Sequence, residues 1–529
     1  METTGRNTKP AESELDEIQP LTGQYFSFEH ARTLPPFDRA LSVRNICAVG
    51  VALSYALGLL CFAISMYIYG TSRKGRPQQQ PNSGPDVSNP WLHQFTGIGP
   101  ASRAVIELAV NGAITLCTET LGYVHTISLR WALQRQGRLH FSSNLRLFTQ
   151  ASNSAANVWY VNTASGIALI LTYAAGSQIF LVTADPSWYS PKAGGRVMVN
   201  GIAILVTGLS LLVQAGIAHL CFLGQDVRIP TWSSNVLTIT LASLHNVPHF
   251  RRHNRRCMSP ASSRQTRDEA ASRPSAVQPS LRKTDSSTVY VLVLVWLLGP
   301  AVIAWAAGTA VTALKRFPEG LTAIYLTKSA VGSLLYGILL ISAMQAVATL
   351  GLHSVELLVN RSRDEVTWRH AYSSPCSLGS RQTAVYAPKA YNSVKAAATS
   401  WQSVGLYILK PIVHWLFGNS ISELYGDGTG YVFGVMSPPY TVALAAGAFV
   451  VAAFATILTL HRPKGPMPSA WGHIHTLADL IDEWGDGKVE RLYWGDKGEN
   501  PESGIRHAGT SGDVTDLGEI RMDALYEGR

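Results

Sequence analysis

Seven stretches of about twenty mostly apolar residues recur along this chain, each long enough to cross roughly 30 Å of hydrocarbon as a helix. Backbone polar groups inside a bilayer find no water, so a lipid-exposed run must satisfy them within itself, and a helix does so. The runs fall at 45–69, 104–128, 158–183, 198–224, 289–313, 329–351 and 440–460. The predicted fold class is therefore all-α, a polytopic transmembrane bundle of about seven spans with disordered loops. Composition agrees. Charged residues make up 15% of the chain, against about 25% in soluble proteins. The net charge of +9 sits mainly in the loops, where it reads as orientation signals and headgroup contacts rather than a nucleic-acid surface.

The segments between the runs divide the chain. Residues 1–44 are polar, with no short apolar core of a cleavable signal, and predict a disordered tail ahead of an uncleaved first span. Spans one to four occupy 45–224. Residues 225–287 form a basic, Ser/Pro-rich loop that includes Arg251, Arg252, Arg255 and Arg256. Spans five and six lie within 288–351. Residues 352–438 are expected to be a long loop, entered by a helical continuation of span six through His353 and Glu356 as the alternative to a break at 351. Its apolar piece 403–418 is interrupted by Lys410–Pro411 and reads as interfacial or re-entrant. Span seven takes 439–461, and 462–529 is an acidic tail. More Lys and Arg on the N-terminal side of the spans predict a cytosolic N-terminus, in the plasma membrane or an endomembrane. Seven spans put the tail outside. An eighth crossing at 403–418 would return it to the cytosol. The sequon Asn360-Arg361-Ser362 falls in a loop placed inside. Cys47, Cys61, Cys117 and Cys221 lie in or beside apolar runs, and Cys257 and Cys376 in loops far apart, so no disulfide framework or zinc site is expected.

One span departs from the rest. Residues 111–130 carry Asn111, Thr115, Thr118, Glu119 and His125 inside an apolar rod. Asn111, Thr118 and His125 are seven residues apart, which makes a polar stripe along one helix face. An ionised side chain at mid-bilayer costs about 3 kcal/mol or more, so other helices should cover this stripe. Glu119 and His125 are candidates for a proton or solute path. They point about 120° apart on a helix at ~100° per residue, so each needs partners elsewhere, such as Gln178, Gln214 or His219. The plainer reading pairs Glu119 with a loop arginine and leaves His125 at the interface. Small residues in span four, Gly201, Gly208 and Gly216, read as helix-packing contacts. The segment after span two, 130–148, is basic and amphipathic, as for a headgroup-lying element.

The tail holds one amphipathic helix, 473–484, whose apolar face carries Ile474, Leu477, Ile481 and Trp484 and reads as a partner-binding surface. His473, His475, Asp479 and Asp482 have ligand-like chemistry but match no established zinc motif, and a solvated polar face is the plainer reading. Trp484-Gly485-Asp486 and Trp494-Gly495-Asp496 read as turns. Gly426, Gly428 and Gly430 are followed by a loop running to Pro438 rather than by the helix that a phosphate cradle needs, and read as a flexible turn. No cofactor motif and no catalytic signature is present.

Several phrases resemble a group of fungal multi-span membrane proteins: TLCTETLGYVHTISLRWALQRQGRLHFSSNLRLF at 115–148, PTWSSNVL at 230–237, LYGDGTG at 424–430, RPKGPMPSAWGHIHTLADLIDEW at 462–484 and LYWGDKG at 492–498. The resemblance implies a shared architecture and carries over no site residues. Three functions follow as expectations. The first is a non-enzymatic, receptor-like or scaffolding membrane component, with protein partners at the tail and the 225–287 loop. The second is a proton-coupled transporter using Glu119 and His125. The third, an intramembrane enzyme, has the least support.

Overall fold

The computed structural model of the chain describes residues 34–74, 89–95, 100–184, 197–224, 228–246, 257, 259–261, 271–316, 322–327, 330–371, 384–385, 398–426, 432–484, 491–501 and 503–527. The elements in order are α1 (Leu41–Lys74), β1 (Leu92–Phe95), α2 (Pro100–Arg135), α3 (Trp159–Gly176), β2 (Phe180–Ala184), β3 (Val197–Asn200), α4 (Gly201–Leu223), α5 (Val236–Asn246) and β4 (Ala271–Ser272). There follow α6 (Ser286–Arg316), β5 (Thr322–Thr327), α7 (Ala330–Arg369), β6 (Ala384–Val385), α8 (Trp401–Ser420), β7 (Ile421–Gly426), β8 (Val432–Met436) and α9 (Pro438–Leu460). The tail adds α10 (Ile474–Leu480), β9 (Arg491–Glu499), β10 (Arg506–Ser511) and β11 (Tyr526–Glu527). Residues 1–33, most of the 225–287 loop including 251–256, Gly428 and Gly430 lie outside the described residues.

Six of these helices are long and apolar enough to cross a membrane: Leu41–Ser72, Ser102–Arg135, Gly201–Leu223, Ser286–Val311, Leu334–Arg369 and Pro438–Leu460. Their outward faces are apolar, with Leu53, Leu116, Leu297 and Ile457 all more than half exposed. A water-soluble monomer rarely exposes so much contiguous apolar surface. The expected count of about seven changes because two helices in the bundle are of a different kind. The predicted span 158–183 ends at Gly176, and its remainder is β2. Gly176 leaves room for the side chain of Ile114. Just beyond, the Gln178 amide donates to the Ile421 carbonyl at 3.3 Å. The stretch 403–418 is helix, not loop. It lies within the continuous 20-residue helix α8, capped by the Ser400 hydroxyl and packed among α2, α7 and α9. Both helices are polar in places, and their neighbours shelter them.

The expectation of an all-α protein is also corrected, because the helix connections pair as strands. One six-stranded sheet has the order β1-β3-β2-β7-β8-β5. It gathers the connections α1–α2, α3–α4, α6–α7 and α8–α9, so all four lie at one end of the bundle. Eight helices therefore alternate between two ends, and the chain enters and leaves the bundle at the same end. Runs of β-branched and aromatic residues such as FLVTA and VFGVM suit a pleated ladder. They are too short to signal strands against the apolar runs beside them.

The element order repeats. Helix–strand–helix–helix–strand–strand–helix describes α1 to α4, and α6 to α9 follow the same order with the two-residue strand β6 added between α7 and α8. The paired helices are 34 and 31, 36 and 40, 18 and 20, and 23 and 23 residues long. The most extensive helix contacts are α1 with α4 and its counterpart α6 with α9. The sheet order is likewise symmetric about β2 and β7, which pair in parallel. The molecule is thus two four-helix halves with the same direction of travel.

At Gly208 the α1–α4 contact becomes a backbone contact. A Cβ there would stand 2.8 Å from the Gly58 carbonyl oxygen and 2.7 Å from Cys61 Cβ. Gly208→Ala should force the two helices apart and cost about 1–3 kcal/mol, the usual price of overpacking. The check is a lowered melting temperature in detergent. An unchanged value would show that the contact yields freely.

At the other end, the tail is built into the protein. Helix α7 runs on past the alternative extension through His353 and Glu356 as far as Arg369, and the tail packs against it. The Glu365 carboxylate accepts from the backbone N–H groups of Ala470 and Trp471, both at 2.8 Å. Trp368 Nε1 donates to the Pro468 carbonyl at 2.9 Å. Strands β4-β11-β10-β9-β6 form a second sheet here. Trp494-Gly495-Asp496 lies in β9 rather than in a turn. Burial pushes the Asp496 carboxyl up, but hydrogen bonds from Arg506, Tyr526 and the Gly498 N–H outweigh that and hold it below the ordinary range.

Candidate functional site

Helix α2 carries its polar stripe into the bundle, not toward lipid. Asn111, Thr115, Thr118 and His125 are all buried. Arg103 pairs with Glu107 at 2.6 Å, the Asn111 amide donates to the Glu107 carbonyl at 2.9 Å, and Thr115 donates to the Asn111 carbonyl at 2.8 Å. The i, i+4 spacing thus lays a continuous polar line from the start of α2 to its middle. Thr118 and Thr115 then meet the Tyr173 hydroxyl of α3 at 2.9 and 3.2 Å.

At Glu119 the line reaches charge. The Lys410 ammonium of α8 is fully buried and bonds both the Glu119 carboxylate of α2 and the Glu356 carboxylate of α7. One turn before Glu356, His353 Nδ1 contacts its Oε1 at 2.7 Å and stands 3.4 Å from the ammonium. One turn after Lys410, His414 stacks on the Tyr173 ring, centroids 3.7 Å apart and planes within 10°. Gln345 of α7 bonds His414 Nδ1 at 2.9 Å. Glu119 and Glu356 lie on equivalent helices of the two halves, and so do Tyr173 and His414. The cluster is the place where the halves meet.

Two carboxylates share one ammonium. Arg146 is the further cation that acts on both carboxylates, and Tyr173 and Tyr407 are the nearby phenols. Several buried polar atoms have no hydrogen-bond partner among the described residues: Asn111 Oδ1, Gln345 Oε1, His353 Nε2 and His414 Nε2. Unsatisfied polar atoms cost free energy that a purely structural core avoids. Ligand atoms of Glu119, His353 and Glu356 lie within 4.8 Å of one another, close enough to hold a metal ion. The ammonium of Lys410 occupies that centre, so an ion would bind only with Lys410 withdrawn.

The remaining sequence candidates fare differently. His125 points away from Glu119 and sits by Asn162 and the Ala156 backbone. The partners proposed for Glu119 were others than those found: Gln214 bonds Thr172 at 2.9 Å and His219 lies against Tyr55. Leu477, Ile481 and Trp484 are buried in the chain's own core with Trp368 and residues of α5, and Ile474 is buried with Trp131 of α2 and Ile239 of α5. The apolar face of the tail helix is therefore covered from within. Helix α10 is also shorter than the predicted 473–484, with His473 as its cap. Asp482 is held by Lys497, His507 and Thr510, not solvated. Among the sequence candidates for a site, Glu356, His353, His414 and Tyr173 are absent, and Lys410 enters only as the break in the apolar piece 403–418. Lysine inside an apolar run is the same kind of anomaly as Glu119 with the opposite sign, and that was the available signal.

No protein-family model, curated protein or solved structure matches this chain.

Proposed function

We propose that this protein is a membrane carrier that couples proton binding at the Glu119–Lys410–Glu356 cluster to the passage of a solute between its two halves. The observation that carries the reading is the convergence of two carboxylates, from equivalent helices of a repeated fold, on one buried ammonium. Repeated transporters place their coupling sites at the repeat interface. In this reading all eight helices α1–α4 and α6–α9 cross the bilayer. The loops at the tail end hold 15 Lys and Arg, those at the sheet end four. That asymmetry favours a cytosolic tail and a cytosolic N-terminus.

The chemistry follows from charge balance. With both carboxylates ionised, Lys410 ties α2 to α7 through α8. A proton on one carboxylate leaves the ammonium committed to the other, so the tie between the halves weakens on one side. His353 and His414 stand within reach to pass that proton. Proton occupancy then selects between two arrangements of the halves, as differential binding must.

A pH step applied to proteoliposomes on a solid-supported membrane should give a transient charge displacement. Glu119→Gln and Glu356→Gln should each abolish it while the purified variants keep a melting temperature near that of the parent. Currents equal to the parent's in both variants would overturn the reading. A scaffolding role through the tail helix has less support, because its apolar face is occupied.

A further inference from the structure

We infer that the cleft beside the charged cluster is a binding subsite for an oxyanion, a carboxylate or phosphate group, with Arg146 as its anchor. The inference rests on the carrier reading only in making that anion part of the transported solute. The cleft is lined by Thr126 of α2, Asn144 and Arg146 of the following segment, and Ser354, Glu356 and Asn360 of α7. Arg146 is 7% exposed. Among the described residues, no carboxylate lies within 4.0 Å of it and no hydrogen bond engages it. A buried guanidinium whose donors make no hydrogen bond is costly, and its fork of donors matches a two-oxygen anion.

The site is built to hold the guanidinium there. It lies flat against α2 at Gly122, where a Cβ would stand 2.5 Å from Nη1 and 2.6 Å from Cζ. Any other residue at 122 would push the group out. The only carboxylate on the wall, Glu356, is already bound by Lys410, so it does not neutralise Arg146 directly. An anion bound at Arg146 withdraws that positive charge from the Glu119–Glu356 pair. Anion binding and proton uptake therefore favour each other, and linkage makes the effect reciprocal. This supplies a physical reason for the two to travel together.

The test uses the full chain in phosphatidylcholine nanodiscs, titrated with inorganic phosphate and separately with succinate at constant ionic strength. At least one should raise the melting temperature saturably. Arg146→Gln should weaken that binding about tenfold or more, as loss of a charge-assisted pair does. Gly122→Ala, which keeps the charge but displaces it, should weaken binding in the same direction, and Arg146→Lys should retain part of it. Stabilisation by phosphatidic acid in the nanodisc, lost in Arg146→Gln and absent with both soluble anions, would assign the oxyanion to a lipid headgroup. No stabilisation by any of the three, or stabilisation equal in Arg146→Gln and the parent, would overturn the subsite. Anion binding kept in Glu119→Gln after the pH-step current is lost supports the subsite apart from coupling. A normal current without anion binding sinks the subsite and leaves the carrier reading standing.

Discussion

Lys410→Met is expected to destabilise the bundle by about 3–5 kcal/mol, because it leaves Glu119 and Glu356 facing each other without their shared countercharge. Methionine matches the lysine stem in length, so the loss is of charge rather than of packing. The variant should show a much smaller monodisperse fraction on gel filtration and a depressed melting temperature. Methionine at 410 combined with Glu119→Gln and Glu356→Gln should recover most of that loss. Neutral replacements of buried ion clusters are often tolerated, and so is loss of one of two carboxylates that share an ammonium, whereas loss of the shared ammonium itself is not. The triple variant should still give no pH-step current. If Lys410→Met alone melts like the parent, the ammonium is not what holds the three helices together.

Removal of the tail from residue 461 onward should be at least as damaging. It would uncover Trp368, Val236, Leu237 and Leu241, all buried against tail residues. Each exposed large apolar side chain forfeits about 1.5–3 kcal/mol, and four of them approach the whole net stability of roughly 5–15 kcal/mol that a domain has. The Glu365 carboxylate would lose the two backbone donors it holds. The expected result is aggregation on extraction rather than a folded bundle lacking a tail. A gentler probe is Trp471→Ala, expected to cost about 3–5 kcal/mol. The Trp471 ring is fully buried and its Nε1 donates to the Pro279 carbonyl at 3.0 Å. A monodisperse truncated protein with unchanged melting would show that the tail is an accessory.

Sequence carried the long apolar helices and the buried stripe of α2 well, because both are periodic signals within a single segment. It carried α8 poorly, and α3 only as part of a longer apolar run, 158–183. Those helices are stable only because neighbours shelter Asn162, Tyr173 and Lys410, and a hydropathy window has no access to neighbours. The tail helix was visible by its period, but the same period cannot say whether α5 or another protein covers its apolar face. The twofold repeat was invisible for a different reason. It is preserved in helix order, helix length and strand pairing, while residues on corresponding helices, such as Tyr173 and His414, differ in kind. Arg146 was read as one charge of a basic surface segment, and only the bare face at Gly122 shows why it turns inward.

The six-stranded sheet has a narrow seam. Its two trios of strands touch along β2 and β7, in a ladder of Val182 with Leu424, Thr183 with Tyr425, and Ala184 with Gly426. Net backbone hydrogen bonds contribute about 0.5–1.5 kcal/mol each. So short a zipper can be opened by a ligand's preference for the parted form, since about 5.5 kcal/mol inverts a 1:99 population. The opposite end is stitched more heavily, with Ser142 and His140 of one half and Glu365 of the other all bonded to the same tail residues 470–474. The mouth that unzips first should therefore be the one away from the tail, and the stitched end should act as the hinge.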